Sequence, residues 1–265
     1  ENPDGNFTTC PYPNPEIREA LECGLKLCRE VKPDLLLATD PDADRVGAAV
    51  KNNEGEWVLL NGNQTALMFV YYLITRWKEL GKINGKEYIV KTIVTTETIK
   101  TIAERNGVEM YDVYTGFKWI ANVMRENEGK KNYIGGGEES YGFLCEDFVR
   151  DKDAVSACVI LAEIAAWAKD QGLSLYQLLQ KIYVEYGFSK EKGISVVKKG
   201  KSGAEEIEAM MKKFRENPLT EIAGSKVTYF YDYSTLKGKD YAENETVTLD
   251  MPTTSNVLQY FTEDN

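Results

Sequence analysis

The chain opens on a polar stretch and then changes to regular apolar patterning. Residues 1–14 are rich in Pro, Asn and Gly, which predicts an extended loop. Asn14 and Pro15 predict a helix N-cap and first helical residue, and apolar positions at helical spacing continue this helix to Val31. Short apolar runs then predict three strands, over 34–39, 46–50 and 57–60.

The next block alternates helices with strands. The apolar periodicity predicts helices over 64–80, 97–106, 117–128, 152–170 and 173–186. Between them it predicts strands over 88–94, 108–114 and 132–135. Strands that alternate with helices of this length indicate βαβ units around a parallel sheet, so the expected fold class is α/β.

The character of the chain changes after Gly187. The pattern there predicts a strand over 193–198, a charged helix over 203–215 and strands over 226–232, 246–250 and 256–261. These elements predict an α+β module, which we expect to be incomplete. We therefore divide the chain into the blocks 1–60, 61–187 and 188–265.

Composition narrows the possible chemistry. The 265 residues include no histidine, which excludes histidine-based triads and histidine-ligated zinc within the chain. The formal charge of −10 and the absence of a basic stripe argue against nucleic-acid binding. The apolar run 66–74 is too short to span a bilayer, and nothing in residues 1–265 predicts a secretory leader. We therefore expect a cytoplasmic protein whose five cysteines are reduced and buried.

The turn after the first predicted strand is strongly acidic. Asp40, Asp42 and Asp44 alternate with small residues, and Arg45 follows them. Such carboxylates repel one another unless a cation lies among them, and Mg²⁺ prefers oxygen ligands of this kind. The EF-hand pattern fails, because Arg45 and Lys51 stand where Gly and Glu are required. An acidic turn in solvent remains the alternative.

Three further segments carry candidate chemistry. A glycine-rich loop over 135–142 contains Glu138 and Ser140, which could accept and donate hydrogen bonds to sugar hydroxyls. The alternative is a flexible turn. Thr115, Gly116 and Lys118 begin a helix that could receive an anion, or that is simply capped by Thr115. Lys152 opens another helix, near a cleft or on a solvated helix end.

The order of these motifs is specific. Asp-Pro-Asp-Ala-Asp-Arg at 40–45, Thr-Gly-Phe-Lys at 115–118, Gly-Glu-Glu-Ser-Tyr-Gly at 137–142 and Arg-Asp-Lys-Asp at 150–153 together resemble the α-D-phosphohexomutase family. The resemblance is nearest to its phosphoglucomutases, including the phosphopentomutase-like branch. It implies that the chain holds the end of the family's second domain, the whole third domain and part of the fourth.

The resemblance also implies roles for individual residues. The implied ligands of an activating Mg²⁺ are Asp40, Asp42 and Asp44. The implied catalytic groups are Arg45, against the phosphoryl group, and Lys152, in proton transfer or charge stabilisation. The implied sugar-phosphate contacts are Thr115, Gly116, Lys118, Glu138 and Ser140.

Family members transfer a phosphoryl group between a serine and a hexose phosphate, through a bisphosphate such as glucose 1,6-bisphosphate. The serine loop of that family, of the Thr-Ala-Ser-His-Asn-Pro type, does not occur in this sequence, and neither does its Arg-x-Ser-Gly-Thr phosphate loop. The chain begins with Glu1 rather than Met, and we expect it to be part of a longer protein and inactive alone. Phosphopentomutase or phosphomannomutase activity, or an inactive phosphosugar-binding module, are the alternatives.

Overall fold

Two compact units make up the chain, Glu1–Glu191 and Lys192–Asn265. The computed structural model describes residues 4–264, so the first three residues of the predicted opening loop lie outside it. Residues 4–17 form turns without a helix or strand, which confirms the predicted loop over its described residues, 4–14. None of the helices in the described part of the chain combines the length and the apolar character that crossing a bilayer requires.

The first unit begins with one helix and an antiparallel sheet. These elements are α1 (Arg18–Val31), β1 (Leu35–Thr39), β2 (Val46–Lys51) and β3 (Trp57–Leu60). The strands pair in the order β1-β2-β3. Leu21 and Leu25 of α1 pack with Ala49 of β2 in a small core, so the apolar face of the helix covers one face of the sheet.

The predicted start of α1 is wrong by three residues. The helix begins at Arg18, and its N-cap is Ile17. The Asn14 side chain instead accepts a hydrogen bond from the Glu16 amide at 2.9 Å and closes a local turn. Pro15 is buried against Gly47, where an added Cβ would lie 2.6 Å from the proline ring. This tertiary contact keeps Pro15 out of the helix.

The rest of the first unit is the expected α/β arrangement. Its helices are α2 (Gly62–Glu79), α3 (Thr98–Arg105), α4 (Phe117–Asn127), α5 (Ala154–Asp170) and α6 (Leu175–Tyr186). Its strands are β4 (Glu87–Thr92), β5 (Glu109–Val113), β6 (Asn132–Gly137) and β7 (Phe143–Cys145). They pair in the order β5-β4-β6-β7, parallel except for β7. The apolar pattern did not predict β7, because it has only three residues.

A shared core joins the antiparallel sheet to the helices that follow it. Helix α2 is buried on nearly all sides, and the rings of Phe69 in α2 and Phe143 in β7 stack with centroids 4.4 Å apart. Val46 and Ala48 of β2 belong to the same cluster as α2, α5 and α6. Residues 1–60 and 61–187 are therefore packed together through apolar side chains.

The second unit is a small α+β module. It contains α7 (Gly200–Glu216), β8 (Glu221–Ile222), β9 (Ser225–Asp232), β10 (Lys237–Asp240), β11 (Glu245–Thr248) and β12 (Leu258–Thr262). The sheet order is β11-β10-β9-β12, with β8 paired to β9. The predicted strand over 193–198 is wrong, since these residues form no strand and Ile194 is 78% exposed.

The cysteines are all free, but only part of the prediction for them is correct. Cys28 and Cys145 are buried, whereas Cys10 and Cys158 are half-buried. Cys23 is exposed, because it lies on the solvent-facing side of α1 while Leu21 and Leu25 face the sheet. The helical spacing of Cys23 and Cys28 therefore places the two thiols in different environments.

A buried carboxylate closes the turn that precedes β4. Glu87 is 1% exposed, and its Oε2 accepts hydrogen bonds from the amides of Asn84, Gly85 and Lys86 at 2.7, 3.0 and 3.2 Å. Its Oε1 accepts from Asn132 Nδ2 at 3.0 Å. Burial raises the pKa of Glu87, but these hydrogen bonds outweigh burial and hold the pKa below its ordinary value.

We expect Glu87→Gln to lower the free energy of unfolding by about 1–3 kcal/mol at pH 7, because an amide cannot accept all of these bonds. A lowered folded-state pKa stabilises the fold above the unfolded-state pKa, and this stability is lost as the pH falls through the folded-state value. The deficit should therefore shrink in acid. Urea unfolding followed by tryptophan fluorescence measures it, since all four tryptophans lie in the first unit. The exposed Glu54→Gln is the control, and an equal deficit at pH 3 would contradict the argument.

Candidate active site

The three aspartates lie in a tight turn between two paired strands. Thr39 at the end of β1 pairs with Val46 at the start of β2, which forces the intervening residues into a compact loop. Asp40, Asp42 and Asp44 each place one carboxylate oxygen within 4.8 Å of the other two. Asp40 is buried, Asp44 is half-buried and Asp42 is exposed. The cluster thus opens to solvent on one side, so an ion and a ligand could reach it.

Asp40 is the structural anchor of this loop. Its Oδ1 accepts hydrogen bonds from the amides of Asp44 and Arg45 at 3.1 and 3.0 Å, and its Oδ2 accepts from Arg45 Nε at 2.6 Å. Burial raises the pKa of Asp40, but these donors outweigh burial and leave the pKa below its ordinary value. Asp40 therefore remains a carboxylate at neutral pH.

Lys152 connects the acidic loop to the glycine-rich loop. Its Nζ lies 3.3 Å from Asp44 Oδ2 and 3.8 Å from Glu138 Oε2. Burial holds the pKa of Asp44 and of Glu138 above the ordinary value, although the Lys152 ammonium lowers both. The structure therefore brings the predicted metal loop, Glu138 and Lys152 into one site.

The glycine-rich loop is tightly folded around Glu138. This residue is 3% exposed, its amide donates to the Gly142 carbonyl at 2.9 Å, and its Oε1 accepts from the Gly116 amide at 2.8 Å. A Cβ on Gly142 would lie 2.7 Å from Lys152 Cδ and 3.2 Å from Glu138 Oε2. Glycine at position 142 therefore lets Lys152 approach Glu138.

Backbone pairing also holds the two loops together. Arg45 and Gly142 form an isolated antiparallel bridge, and the Val46 amide donates to the Tyr141 carbonyl at 3.1 Å. Tyr141 has a positive φ of 72°, a conformation uncommon for a bulky residue. The acidic loop and the glycine-rich loop are therefore fixed relative to each other by main-chain contacts as well as by Lys152.

The segment 115–118 does not form the predicted cap. The N-cap of α4 is Gly116, with a φ of 118° and no side-chain hydrogen bond to the helix, whereas Thr115 is exposed. Glycine adopts this φ without strain, so the chain turns at Gly116 rather than at Thr115. Lys118 is exposed, with Nζ 5.1 Å from the centroid of the Trp119 ring. Within this segment the Gly116 amide donates a hydrogen bond to Glu138, and Ser140 is half-buried in the neighbouring loop.

The residues that hold Glu139 of the glycine-rich loop were not predicted from the sequence. Glu139 Oε2 accepts hydrogen bonds from Thr92 Oγ1 at 2.6 Å and Thr95 Oγ1 at 3.2 Å. At the start of α2, a Cβ on Gly62 would lie 2.0 Å from the Glu139 carbonyl oxygen. The glycine after the Asn61 cap was the available signal, but nothing in the sequence identified its partner.

A buried lysine lies beneath the same region. Lys91 is 1% exposed, and its Nζ contacts Asp112 at 2.6 Å and Glu97 at 2.8 Å. It also donates to the carbonyls of Thr92 and Thr95 at 3.3 and 3.2 Å. This lysine fixes the segment after β4 that binds Glu139, and its position in an apolar strand was the signal that could have revealed it.

Family models match most of the first unit. Residues 61–186 match the phosphoglucomutase/phosphomannomutase alpha/beta/alpha domain III, and residues 1–55 match domain II of the same family. The chain belongs to this family. The fold and the order of motifs agree with that assignment.

Curated relatives support the family assignment, and a solved structure supports the fold. A phosphoglucomutase of Staphylococcus aureus is 37% identical over 97% of this chain, and one of Staphylococcus haemolyticus is 34% identical over 92%. The chain spans 46% and 43% of their lengths. A phosphoglucomutase/phosphomannomutase family protein of Burkholderia thailandensis superposes with a TM-score of 0.57 and 17% identity, over 84% of this chain and 43% of its own. At that identity the likeness concerns the fold alone.

We expect Gly62→Ala to destabilise the first unit by about 1–3 kcal/mol, because the added methyl group would overlap the Glu139 carbonyl. Urea unfolding followed by tryptophan fluorescence measures the change. Gly193→Ala is the control, since nothing lies within 4 Å of a Cβ at that position. An unchanged unfolding midpoint in Gly62→Ala would show that the loop is not packed against the start of α2.

Proposed function

We propose that the protein containing this chain interconverts glucose 1-phosphate and glucose 6-phosphate, through a phosphoserine and glucose 1,6-bisphosphate. The observation that carries the proposal is the position of Lys152, whose Nζ lies between Asp44 of the acidic loop and Glu138 of the glycine-rich loop. A metal site and a sugar site joined by a cation provide what phosphoryl transfer requires: charge neutralisation and positioning.

The residues present fit Mg²⁺. Three carboxylates supply hard oxygen ligands within 4.8 Å of one another, and Asp42 presents its carboxylate to solvent. When bound, Mg²⁺ would neutralise charge on the transferring phosphoryl group. Arg45 lies beside these ligands, with Nε on Asp40 and Nη1 3.6 Å from Glu16, so its guanidinium could also contact a phosphate.

Lys152 and Glu138 have complementary roles in this proposal. The ammonium group of Lys152 can hold a positive charge against the substrate phosphate or donate a proton to a sugar oxygen. One oxygen of Glu138 accepts from the Gly116 amide, and the other faces Lys152 and is placed to accept a sugar hydroxyl. Ser140 would add a second hydroxyl contact, and Thr115 and Lys118 would contact the phosphate end of the substrate.

Support for the choice of glucose comes from the curated relatives, which are named phosphoglucomutase. The chain spans less than half of the length of these relatives. We therefore propose the mutase activity for the whole protein and not for this chain alone. Phosphomannomutase, phosphopentomutase and an inactive phosphosugar-binding module are its competitors, and the turnover assay below separates them.

We expect Asp42→Asn to weaken Mg²⁺ binding by roughly tenfold or more, because the variant loses one of three charged ligands. Isothermal titration calorimetry on the 265-residue chain measures the affinity directly. Asp170→Asn, at an exposed position at the end of α5, is the matched control. Equal Mg²⁺ affinity in the two variants would refute the metal assignment.

We expect the isolated chain to give no turnover of glucose 1-phosphate, because its sequence lacks the serine loop of the family. The complete protein should convert glucose 1-phosphate faster than mannose 1-phosphate or ribose 1-phosphate in a coupled assay. Turnover by the isolated chain would contradict the first expectation, and a preference for another sugar would replace the glucose assignment.

We expect Lys152→Met in the complete protein to lower kcat by about two orders of magnitude, because we propose that this lysine assists proton transfer.

A further inference from the structure

A second concave surface lies on the first unit, away from the acidic and glycine-rich loops. It is a groove of about 670 Å³ between α1 and the β2–β3 hairpin, a volume in the range of small-molecule sites. The residues of this groove that matter below are Arg18, Arg29, Lys32, Lys51, Glu56 and Trp57. None of them belongs to the candidate active site. We call this surface the basic groove.

The charge of the basic groove opposes that of the whole protein. The chain carries 42 acidic against 32 basic residues, yet four cations and a single carboxylate line the groove. Within the part of the chain that the structure describes, none of these four cations lies within 4.0 Å of a carboxylate oxygen. The carboxylate of Glu56 accepts instead from Asn52 Nδ2 at 3.3 Å. Four cations against one carboxylate give the lining of the groove a net positive charge.

The cations line both sides of the groove. Arg18 and Arg29 are three helical turns apart, so they share one face of α1 and are about 16 Å apart along the helix axis. Lys51 lies opposite, at the end of β2, with Nζ 5.3 Å from the centroid of the Trp57 ring. The arrangement surrounds the space that a ligand would occupy.

Helix stability explains only part of this arrangement. Arg29 and Lys32 lie at the C-terminal end of α1, where cations interact favourably with the helix dipole. Arg18 is the first residue of the same helix, where the dipole is positive and a cation is unfavourable. An anion in the groove would be attracted by Arg18 and by the helix N-terminus together.

We propose that the basic groove binds a small anion that carries two or more phosphate groups. A single phosphate could reach only some of the cations, whereas a chain of phosphates could contact Arg18, Arg29 and Lys51 together. A nucleic-acid backbone would extend beyond the groove onto the acidic surface of the chain, which disfavours it. This proposal is independent of the mutase activity.

Calorimetry of the 265-residue chain with inorganic tripolyphosphate tests the proposal. The titration contains EDTA, so that no divalent cation bridges the anion to Asp40, Asp42 or Asp44, and low salt, because screening weakens exposed charges. We expect saturable binding that Arg29→Gln combined with Lys51→Gln weakens roughly tenfold or more. The exposed Lys26→Gln, on α1 but outside the groove, should change the affinity by less than about twofold.

The remaining outcomes overturn the proposal. If Lys152→Met abolishes binding and the double variant does not, the anion occupies the candidate active site instead. If Lys26→Gln weakens binding as much as the double variant does, the attraction is non-specific. Absence of saturable binding also refutes it. Tryptophan fluorescence tests whether each variant is folded. If the double variant is unfolded, the single variant Arg29→Gln replaces it in the titration, because Arg29 is exposed.

Discussion

The first unit depends on how it accommodates several carboxylates in a small volume. Asp40, Asp44 and Glu138 would repel one another if they were left alone in a partly buried site. The Arg45 guanidinium binds Asp40, and the Lys152 ammonium lies between Asp44 and Glu138. Arg45 therefore neutralises charge within the hairpin turn, and Lys152 joins that turn to the loop after a parallel strand, so that the two segments form one site.

Close backbone approach makes this pairing possible. A side chain on Gly142 would collide with Lys152, and one on Gly62 would overlap the Glu139 carbonyl. Glu139 is in turn bound by Thr92 and Thr95, next to buried Lys91. These contacts fix the position of the glycine-rich loop and thereby the orientation of the Glu138 side chain. A site that acts by positioning charge requires such preorganisation.

Much of the fold could be predicted from local patterns, and the failures have physical causes. Strands and helices with a buried face were found within a few residues, since their periodicity reflects burial. The strand expected over 193–198 fails because alternation alone does not provide a partner strand. Strand β10, with the sequence Lys-Gly-Lys-Asp, has no apolar signal and exists because β9 and β11 flank it. Thr115 was expected to cap α4, but Gly116 does so with a positive φ.

The sequence alone determined the fold class, the acidic triplet and the order of motifs that identifies the family, because these depend on residue type and spacing along the chain. It also established that the chemistry involves no histidine of this chain. Only the tertiary structure decided which side chains meet: Lys152 with Asp44 and Glu138, Glu139 with Thr92, and the cations of the basic groove with one another across the groove. These partners lie 14 to 108 residues apart along the chain, and their contact energies depend on distance and burial, which no local pattern contains.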